Sequence, residues 1–423
     1  MSPSAGRLLL LLPTTTYRTE AFVAAAGKLG VELVCASERP STFEPLAPDS
    51  LVTLDFTDPG ASAETIATFA RRRPLDAVVG VDDLTTVVAA AISERLGLKA
   101  NSLPAVSIAR DKHAMRRCLA EAGVPVPRFQ RLLLNDDLGA RAAESAYPCI
   151  LKPISLSASR GVIRANDARE FVAAAHRISA ILETAGVSLP DEARRAFLVE
   201  EFIPGAEVAL EGLLVGGTLH VLALFDKPDP LDGPYFEETI YVTPSHLQPR
   251  VRRAAARDIE QACRHAGLAT GPVHAEFRVN ERGIWLLEIA PRSIGGLCGA
   301  MLRHTLGMTL EELILRHALG RTLPAARHRA ACGVMMIPIP ARGIFEGVSG
   351  LEEALAVKGI TGIPITAERG QIVAPPPEGS AYLGFIFARE RAPAEVVASL
   401  RNALQRLDFR LRPEVSLRVS GDG

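Results

Sequence analysis

Residues 271–292 read GPVHAEFRVNERGIWLLEIAPR, and the segment runs on as SIGG to Gly296. Two β-rich runs flank Asn280-Glu281-Arg282-Gly283, which predicts a hairpin. A type I turn followed by a left-handed glycine makes a three-residue loop, Glu281–Gly283, with Gly283 where φ must be positive. In that register Asn280 pairs with Ile284, and Glu276 falls directly opposite Glu288 with Cβ atoms roughly 5 Å apart. Val273, Ala275, Phe277, Val279, Trp285, Leu287 and Ile289 form an apolar face. The other face carries His274, Glu276, Arg278 and Glu288, with Arg292 just past the strand. Like charges placed opposite one another destabilise a sheet, so a cation is expected between the two carboxylates. One or two Mg²⁺ ions suit such oxygens, sharing their remaining positions with water and phosphate. Neutralisation by Arg278 or Arg292 alone is the alternative, and the metal–phosphate reading is preferred.

Working outward, 423 residues suffice for two or three domains with substantial cores. With 47 basic and 48 acidic residues, nothing suggests a nucleic-acid-binding surface. The six cysteines lack Cys-x-x-Cys spacing and read as reduced thiols. The leucine run at residues 8–12 is too short for a membrane span and fits a first buried strand, so a soluble, cytoplasmic protein with no membrane partner is expected.

Residues 7–100 alternate strand and helix: strands at Leu8–Leu12, Val31–Ala36 and Ala77–Val81, helices at Thr19–Leu29, Ala61–Arg73 and Leu84–Leu96. This rhythm predicts a parallel, doubly wound sheet. The first strand leads into PTTTYR, not G-x-G-x-x-G, which disfavours a dinucleotide-binding domain. Asp82 and Asp83 follow the third of these strands, at the carboxyl edge where such sheets bind ligands; helix capping is an equal alternative. A helix at Asp111–Ala122 places Lys112 in its first turn, where an anion partner is expected. The segment YPCILKPISLSASRGV predicts a strand ending at Lys152 and a Ser/Gly loop, Ser155–Gly161, able to fold over phosphates although it does not match G-x-x-x-x-G-K-[ST]. Strand Phe197–Glu200 meets a turn at Pro204-Gly205, with Glu207 opening the next strand. The connection Leu222–Ser245 is long enough to be functional. Its Tyr235, Phe236, Glu237 and Glu238 either bind a substrate ammonium group or belong to a solvated loop. Helices at Val251–Ala266 and Thr309–Leu319 follow. From about Pro324 short β runs, a helix at Pro393–Leu407 and a final strand near Val415–Val419 predict a separate, smaller α+β unit.

The segments DKHAMRRCLAEAGVPVP, ILKPISLSASRGV, VEEFIPGAEV and HAEF…LLEIAPRSIGG, in this order, resemble the ATP-grasp superfamily, and specifically its carboxylate–amine ligases, over about residues 75–325. Within it the chain looks most like L-amino-acid ligases, which make dipeptides, including the carnosine-synthase type; the segment PLDGPYFEETIYVTPS and the C-terminal domain favour these over D-alanine–D-alanine ligases. The resemblance implies an α/β and α+β multidomain protein of the ATP-grasp fold. Its parts would be an N-terminal parallel α/β domain (1–104), an ATP-grasp domain (105–325, with a lid subdomain at about 126–203) and a small C-terminal α+β domain (326–423).

The resemblance also implies roles. Lys112 and Lys152 hold ATP phosphates under a loop containing Ser159, Arg160 and Gly161. Glu200, Glu201, Phe202 and Ile203 meet adenine largely through backbone groups, and Glu207 binds ribose. Glu276 and Glu288 carry Mg²⁺, one or two ions, with Mn²⁺ as a substitute. Arg292, with Lys152, is catalytic and neutralises a forming acyl-phosphate that the backbone at Gly295-Gly296 approaches. His274, Asp82 and Glu237 complete the substrate set. The partners are a small-molecule carboxylate and amine, and a homodimer is implied. The family commonly has E-x-N-P-R where this chain has Ala290, which removes a further metal ligand. Two other readings stand beside this one: a biotin-carboxylase-like or purine-pathway ATP-grasp enzyme with a different acceptor, and a non-catalytic nucleotide sensor.

Overall fold

In a computed structural model the chain is described over residues 6–184, 191–323 and 330–414. The leucine run forms β1 (Arg7–Leu11), which is buried throughout and pairs in parallel with β2 (Glu32–Ser37) and β4 (Ala77–Gly80). With β3 (Leu51–Thr53) the order is β3-β2-β1-β4. Strand connections therefore leave in opposite directions from β1 and β4, and the crevice beyond their carboxyl ends is where such a sheet accepts ligands. Tyr17 and Arg18 follow β1, and Asp82 and Asp83 follow β4. The expected helices form at Thr19–Leu29, Pro59–Ala70 and Asp83–Leu96. An unanticipated short helix, Leu103–Arg110, is capped by Ser102 and leads into Lys112–Glu121, whose cap is Asp111.

A second sheet joins β5 (Phe129–Leu133), β6 (Cys149–Pro153), β7 (Ile163–Ala165) and β8 (Ala196–Glu201) in the order β5-β8-β6-β7. Helix Ala168–Thr184 lays Phe171, Ala175 and Ile178 on one face of it.

The largest sheet contains β9 (Ala206–Val215), β10 (Thr218–Asp226), β11 (Ile240–Thr243), β12 (Gly271–Asn280), β13 (Gly283–Ala290) and β14 (Ala331–Ile337). Beyond β14 the chain adds β15 (Gly343–Ser349), β16 (Ile360–Gly362), β17 (Ile372–Val373), β18 (Gly384–Glu390) and β19 (Asp408–Arg412). The large sheet runs β13-β12-β9-β10-β11-β14-β18-β16, while β17-β15-β19 form a small sheet of their own. The C-terminal segment mixes short strands with a helix, as expected, and is joined to the central sheet. Its strands β14, β18 and β16 extend the central sheet, and helix Pro393–Leu404 buries Val396, Leu400 and Ala403 against them. The strand expected near Val415–Val419 lies outside the described residues.

The hairpin departs from the sequence reading in a compensating way. Its loop has two residues, because Asn280 pairs with Gly283, and a bulge between Glu276 and Phe277 then shifts the register so that Glu276 still pairs with Glu288. An extra residue in one strand moves the residues on the loop side of it to the opposite face. Leu286, only 2% exposed, therefore packs in the core. Trp285, expected on the apolar face, instead pairs with Arg278 and lies under the Arg282 guanidinium; Leu287 falls in the bulge. Gly283 has φ 126°, the positive value the turn requires.

Candidate active site

Glu276 projects from β12 toward a lysine that sequence reasoning missed. Lys227, immediately after β10, places its Nζ 2.7 Å from Glu207, 2.5 Å from Glu238 and 3.0 Å from Glu276. Burial would lower the Lys227 pKa, but the three carboxylates hold it well above the usual value. The same ammonium keeps Glu276 well below the ordinary carboxylate range despite burial. Burial wins at Glu238, which is pushed up to about 7. One oxygen from each of Glu207, Glu238 and Glu276 lies within 4.8 Å of the others. This donor set suits a hard cation; here the buried Lys227 ammonium lies among the three carboxylates, and Arg278 also pairs with Glu207. Glu288 is answered separately by Lys112, whose Nζ is 3.2 Å away and also donates to the Leu156 carbonyl. Neither arginine proposed as a neutraliser serves that purpose. Arg278 bonds Glu207 and the carbonyls of Ile203 and Leu231, and Arg292 turns to Asp83.

Lys152, at the end of β6, is 7% exposed and sits 2.7 Å from a Glu200 carboxylate oxygen. Arg116, fully buried on helix Lys112–Glu121, holds the other oxygen at 2.6 Å. Burial depresses the Lys152 ammonium to about 8, against the opposing pull of Glu200. Glu200 thus contributes a buried side chain to a charge triad, not only backbone. Glu201 turns outward to Arg128 and Arg282, while Ile203 is buried. Phe202 stacks under Arg164 and Arg278 and packs on an apolar patch of Ile150, Leu231 and Phe236 between the sheets.

The loop after Lys152 is wound tightly, with Ala158 and Ser159 at φ 54° and 55°. Gly161 has φ 74°, and a Cβ there would lie 2.7 Å from Pro153. The C-terminal segment covers this loop. Gly161 donates its N–H to the Pro377 carbonyl at 2.9 Å, Arg160 donates to the Glu378 carbonyl at 3.0 Å, and Arg177 grips the Glu378 carboxylate at 2.5 and 2.9 Å.

Arg292 is clamped in two-point fashion by Asp83, at 2.8 and 3.1 Å. Burial works against its charge, but Asp83 outweighs that and raises its pKa further. Asp82 points away from this pair: it caps helix Asp83–Leu96, accepting from Leu84 and Thr85. The capping alternative therefore describes Asp82, and the neighbouring Asp83 reaches the site. Tyr17 accepts the Gly296 N–H at 2.7 Å. Gly296 has φ 59°, where an L side chain is strained, and a Cβ there would lie 2.6 Å from Met336 Sδ, so glycine is favoured. Gly295 lies on the same strip, close to the Tyr17 hydroxyl. His274, expected to face substrate, is 6% exposed and sits between Glu211 and Glu276. Glu237 is half-buried and directed toward the Ile339 backbone, with its pKa raised by burial. Ala290 is buried opposite His274.

Lys227, Arg116, Arg18, Glu211 and Asp83's clamp on Arg292 were not read from the sequence. Lys227 had a local signal, since it ends the apolar run LALFD inside the long connection already singled out. Among the described residues no helix is long and apolar enough to cross a membrane.

Three families match the chain: the ATP-grasp N-terminal domain over residues 23–98, the ATP-grasp domain over 145–301, and L-amino acid ligase C-terminal domain 2 over 335–412. Alanine–anticapsin ligase of Bacillus amyloliquefaciens is 27% identical over 265 residues, 60% of this chain and 56% of that protein, so the match spans about half of that relative's length. D-Alanine–D-alanine ligase of Cupriavidus necator is 28% identical over 233 residues, 52% of this chain and 67% of that protein. The crystal structure of an L-amino acid ligase from Bacillus licheniformis superposes with a TM-score of 0.82 at 24% identity, covering 96% of this chain and 99% of that one.

Proposed function

We propose that this chain, which carries ATP-grasp domains and the C-terminal domain of L-amino acid ligases, is an ATP-dependent carboxylate–amine ligase whose substrates are amino acids. The observation that carries this reading is the convergence on one face of Lys112, Lys152, the carboxylates Glu276 and Glu288, and an Arg292 held rigid by Asp83. Rigid, buried cations aimed at one place stabilise charge that develops during reaction without reorganising.

In the proposed reaction a carboxylate oxygen attacks the γ-phosphorus of ATP as the bond to ADP breaks. The amine nitrogen then attacks the acyl-phosphate carbon, loses a proton, and phosphate leaves. Lys112 and Lys152 bind the transferring phosphate, and the loop Ser159–Gly161, pinned by Pro377 and Glu378, excludes water from it. The apolar patch of Ile150, Phe202 and Phe236 takes the base, with Glu207 beside the ribose. Arg292 lies where it can neutralise the acyl-phosphate and then the tetrahedral oxyanion. Glu276 and Glu288 would hold Mg²⁺, and Glu207 and Glu238 bring carboxylate oxygens within 4.8 Å of that of Glu276; the ion would screen the phosphate charge. The amine substrate's own ammonium is matched by Glu237, whose buried oxygen lacks a partner.

The test is isotopic. With amino acids carrying ¹⁸O in both carboxylate oxygens, ligation through an acyl-phosphate transfers one ¹⁸O into the released phosphate. Phosphate whose fourth oxygen comes from solvent, with no ¹⁸O, would refute the proposed route and favour a different acceptor.

A further inference from the structure

We propose that Glu211 is a positioning residue of this site: it ties the carboxylate Glu276, through His274, to the Ser293–Gly296 strip. Its chemical consequence rests on the ligase reading above; the geometry does not.

Glu211 lies in the interior of β9, directly across from His274 on β12, and is fully buried. One of its oxygens accepts the Ile294 N–H at 2.9 Å. The same oxygen is 3.7 Å from His274 Nδ1, and His274 Nε2 is 3.4 Å from Glu276. On the far side of the strip, Arg18 takes the Ser293 hydroxyl at 2.6 Å, the Ser293 carbonyl at 3.2 Å and the Ile294 carbonyl. Arg18 also donates to the Val81 carbonyl at 3.1 Å, which anchors it at the crevice of the N-terminal sheet. The N–H and C=O of Ile294 are therefore held from opposite sides, by Glu211 of the large sheet and by Arg18 in the segment between β1 and the first helix.

A packing role alone does not call for a carboxylate here. The neighbours Leu210 and Leu213 are apolar and buried, and an unpaired acid in such surroundings is costly. Glu200 is matched by Arg116 and Lys152 and Glu312 by Lys28, while buried Asp226 is satisfied by hydrogen bonds from Ser245 and His246. Glu211's ion-pair partner within 4.0 Å is the histidine, and both Glu211 Oε1 and His274 Nδ1 are buried without a hydrogen bond. Buried polar groups left short of partners concentrate where function requires them. What this carboxylate secures is relative placement. Under the ligase reading Glu276 would hold the ion that screens the phosphate, the Gly295-Gly296 backbone meets the acyl group, and a shift of about 1 Å between them is enough to cost on the order of a hundredfold in rate.

The experiment uses the full-length protein with Glu211→Met, which keeps the shape and removes the acceptor, and Glu211→Gln, which keeps an acceptor for Ile294. Three readouts are taken: amide hydrogen exchange of residues 292–296 without ligands, calorimetric affinity for MgATP, and kcat and KM for amide formation. The expected result for Glu211→Met is exchange at least about tenfold faster in 292–296, with helix Pro249–His265 unchanged. MgATP affinity should stay within about threefold and kcat fall on the order of a hundredfold. Glu211→Gln should recover the exchange protection and part of kcat. Wild-type exchange or wild-type kcat in Glu211→Met overturns the proposal, as does loosening throughout the protein with parallel loss of MgATP affinity. If Glu211→Met does not fold, Glu211→Gln with wild-type kcat overturns it, and a selective loss of kcat in that variant supports it. Should the wild-type protein join no acid to any amine, the ligase reading fails while the exchange comparison still decides whether Glu211 holds the strip.

Discussion

Lys152 makes nucleotide affinity depend on pH in a defined window. Its ammonium is depressed to about 8 by burial, with Glu200 opposing the shift. A bound phosphate requires the charged form, so affinity is fully expressed below that value and is lost as pH rises through it. The charged fraction falls from about nine-tenths at pH 7 to about one-tenth at pH 9, so the Lys152 contribution to the ATP association constant falls about tenfold, or ~1.4 kcal/mol. Glu238, pushed up to about 7, ionises in the same range and also disfavours phosphate. The comparison must therefore be a ratio of wild type to Lys152→Met at each pH, which cancels the Glu238 effect. A charge-assisted hydrogen bond contributes about 1.5–3 kcal/mol, so the ratio should be about ten or more at pH 7. It should then shrink about tenfold by pH 9. Calorimetric titration with a non-hydrolysable ATP analogue and Mg²⁺ measures it. A ratio that is constant between pH 7 and 9, or one near unity at pH 7, would refute Lys152 as a titrating phosphate ligand.

Arg292→Ala should bind MgATP within a few-fold of wild type yet lose about 3–4 kcal/mol of transition-state stabilisation, on the order of 10²–10³ in kcat; near-normal turnover removes its assigned role. Asp83→Asn, which loosens the clamp but leaves the guanidinium, should cost less, about tenfold in kcat, with KM for ATP unchanged. Glu200→Gln leaves Arg116 and Lys152 buried without their shared carboxylate, and breaking such a pair costs about 3–5 kcal/mol; denaturant unfolding should register it, and an unchanged midpoint would contradict the triad. Glu378→Gln breaks a half-exposed clamp whose partner side chains are each 40% exposed, so at most about 1 kcal/mol is at stake; KM for ATP should rise no more than about fivefold, and no rise would detach the C-terminal segment from phosphate-loop closure.

The parallel N-terminal sheet was legible because β1 is an unbroken apolar run from Leu8 to Leu11, as expected of a strand buried on both faces. The Glu276–Glu288 pairing was legible too, although for an incomplete reason. The two-residue loop and the bulge offset one another at that pair, and only between them, at Trp285 and Leu287, did the assumed alternation fail. Local sequence could not reveal the counter-charges. Lys227 draws its partners from positions 207, 238 and 276, and Arg116 reads as one of two arginines on a solvated helix face yet is fully buried against Glu200. Asp82 and Asp83 are equivalent in composition, and the capping box that consumes the first is what frees the second to hold Arg292. That the C-terminal strands continue the central sheet was not legible, because the pairing of β14 with β11 is non-local, and an antiparallel edge carries no signature of which strand it joins.

The most direct test of the ligase reading is to incubate the protein with ATP, Mg²⁺ and amino acids singly and in all pairs, following released phosphate and product mass together. The proposal predicts phosphate only with particular pairs, one phosphate per product, at the mass of the two amino acids less one water. ATP bound but never cleaved under any combination would contradict it and leave a nucleotide sensor.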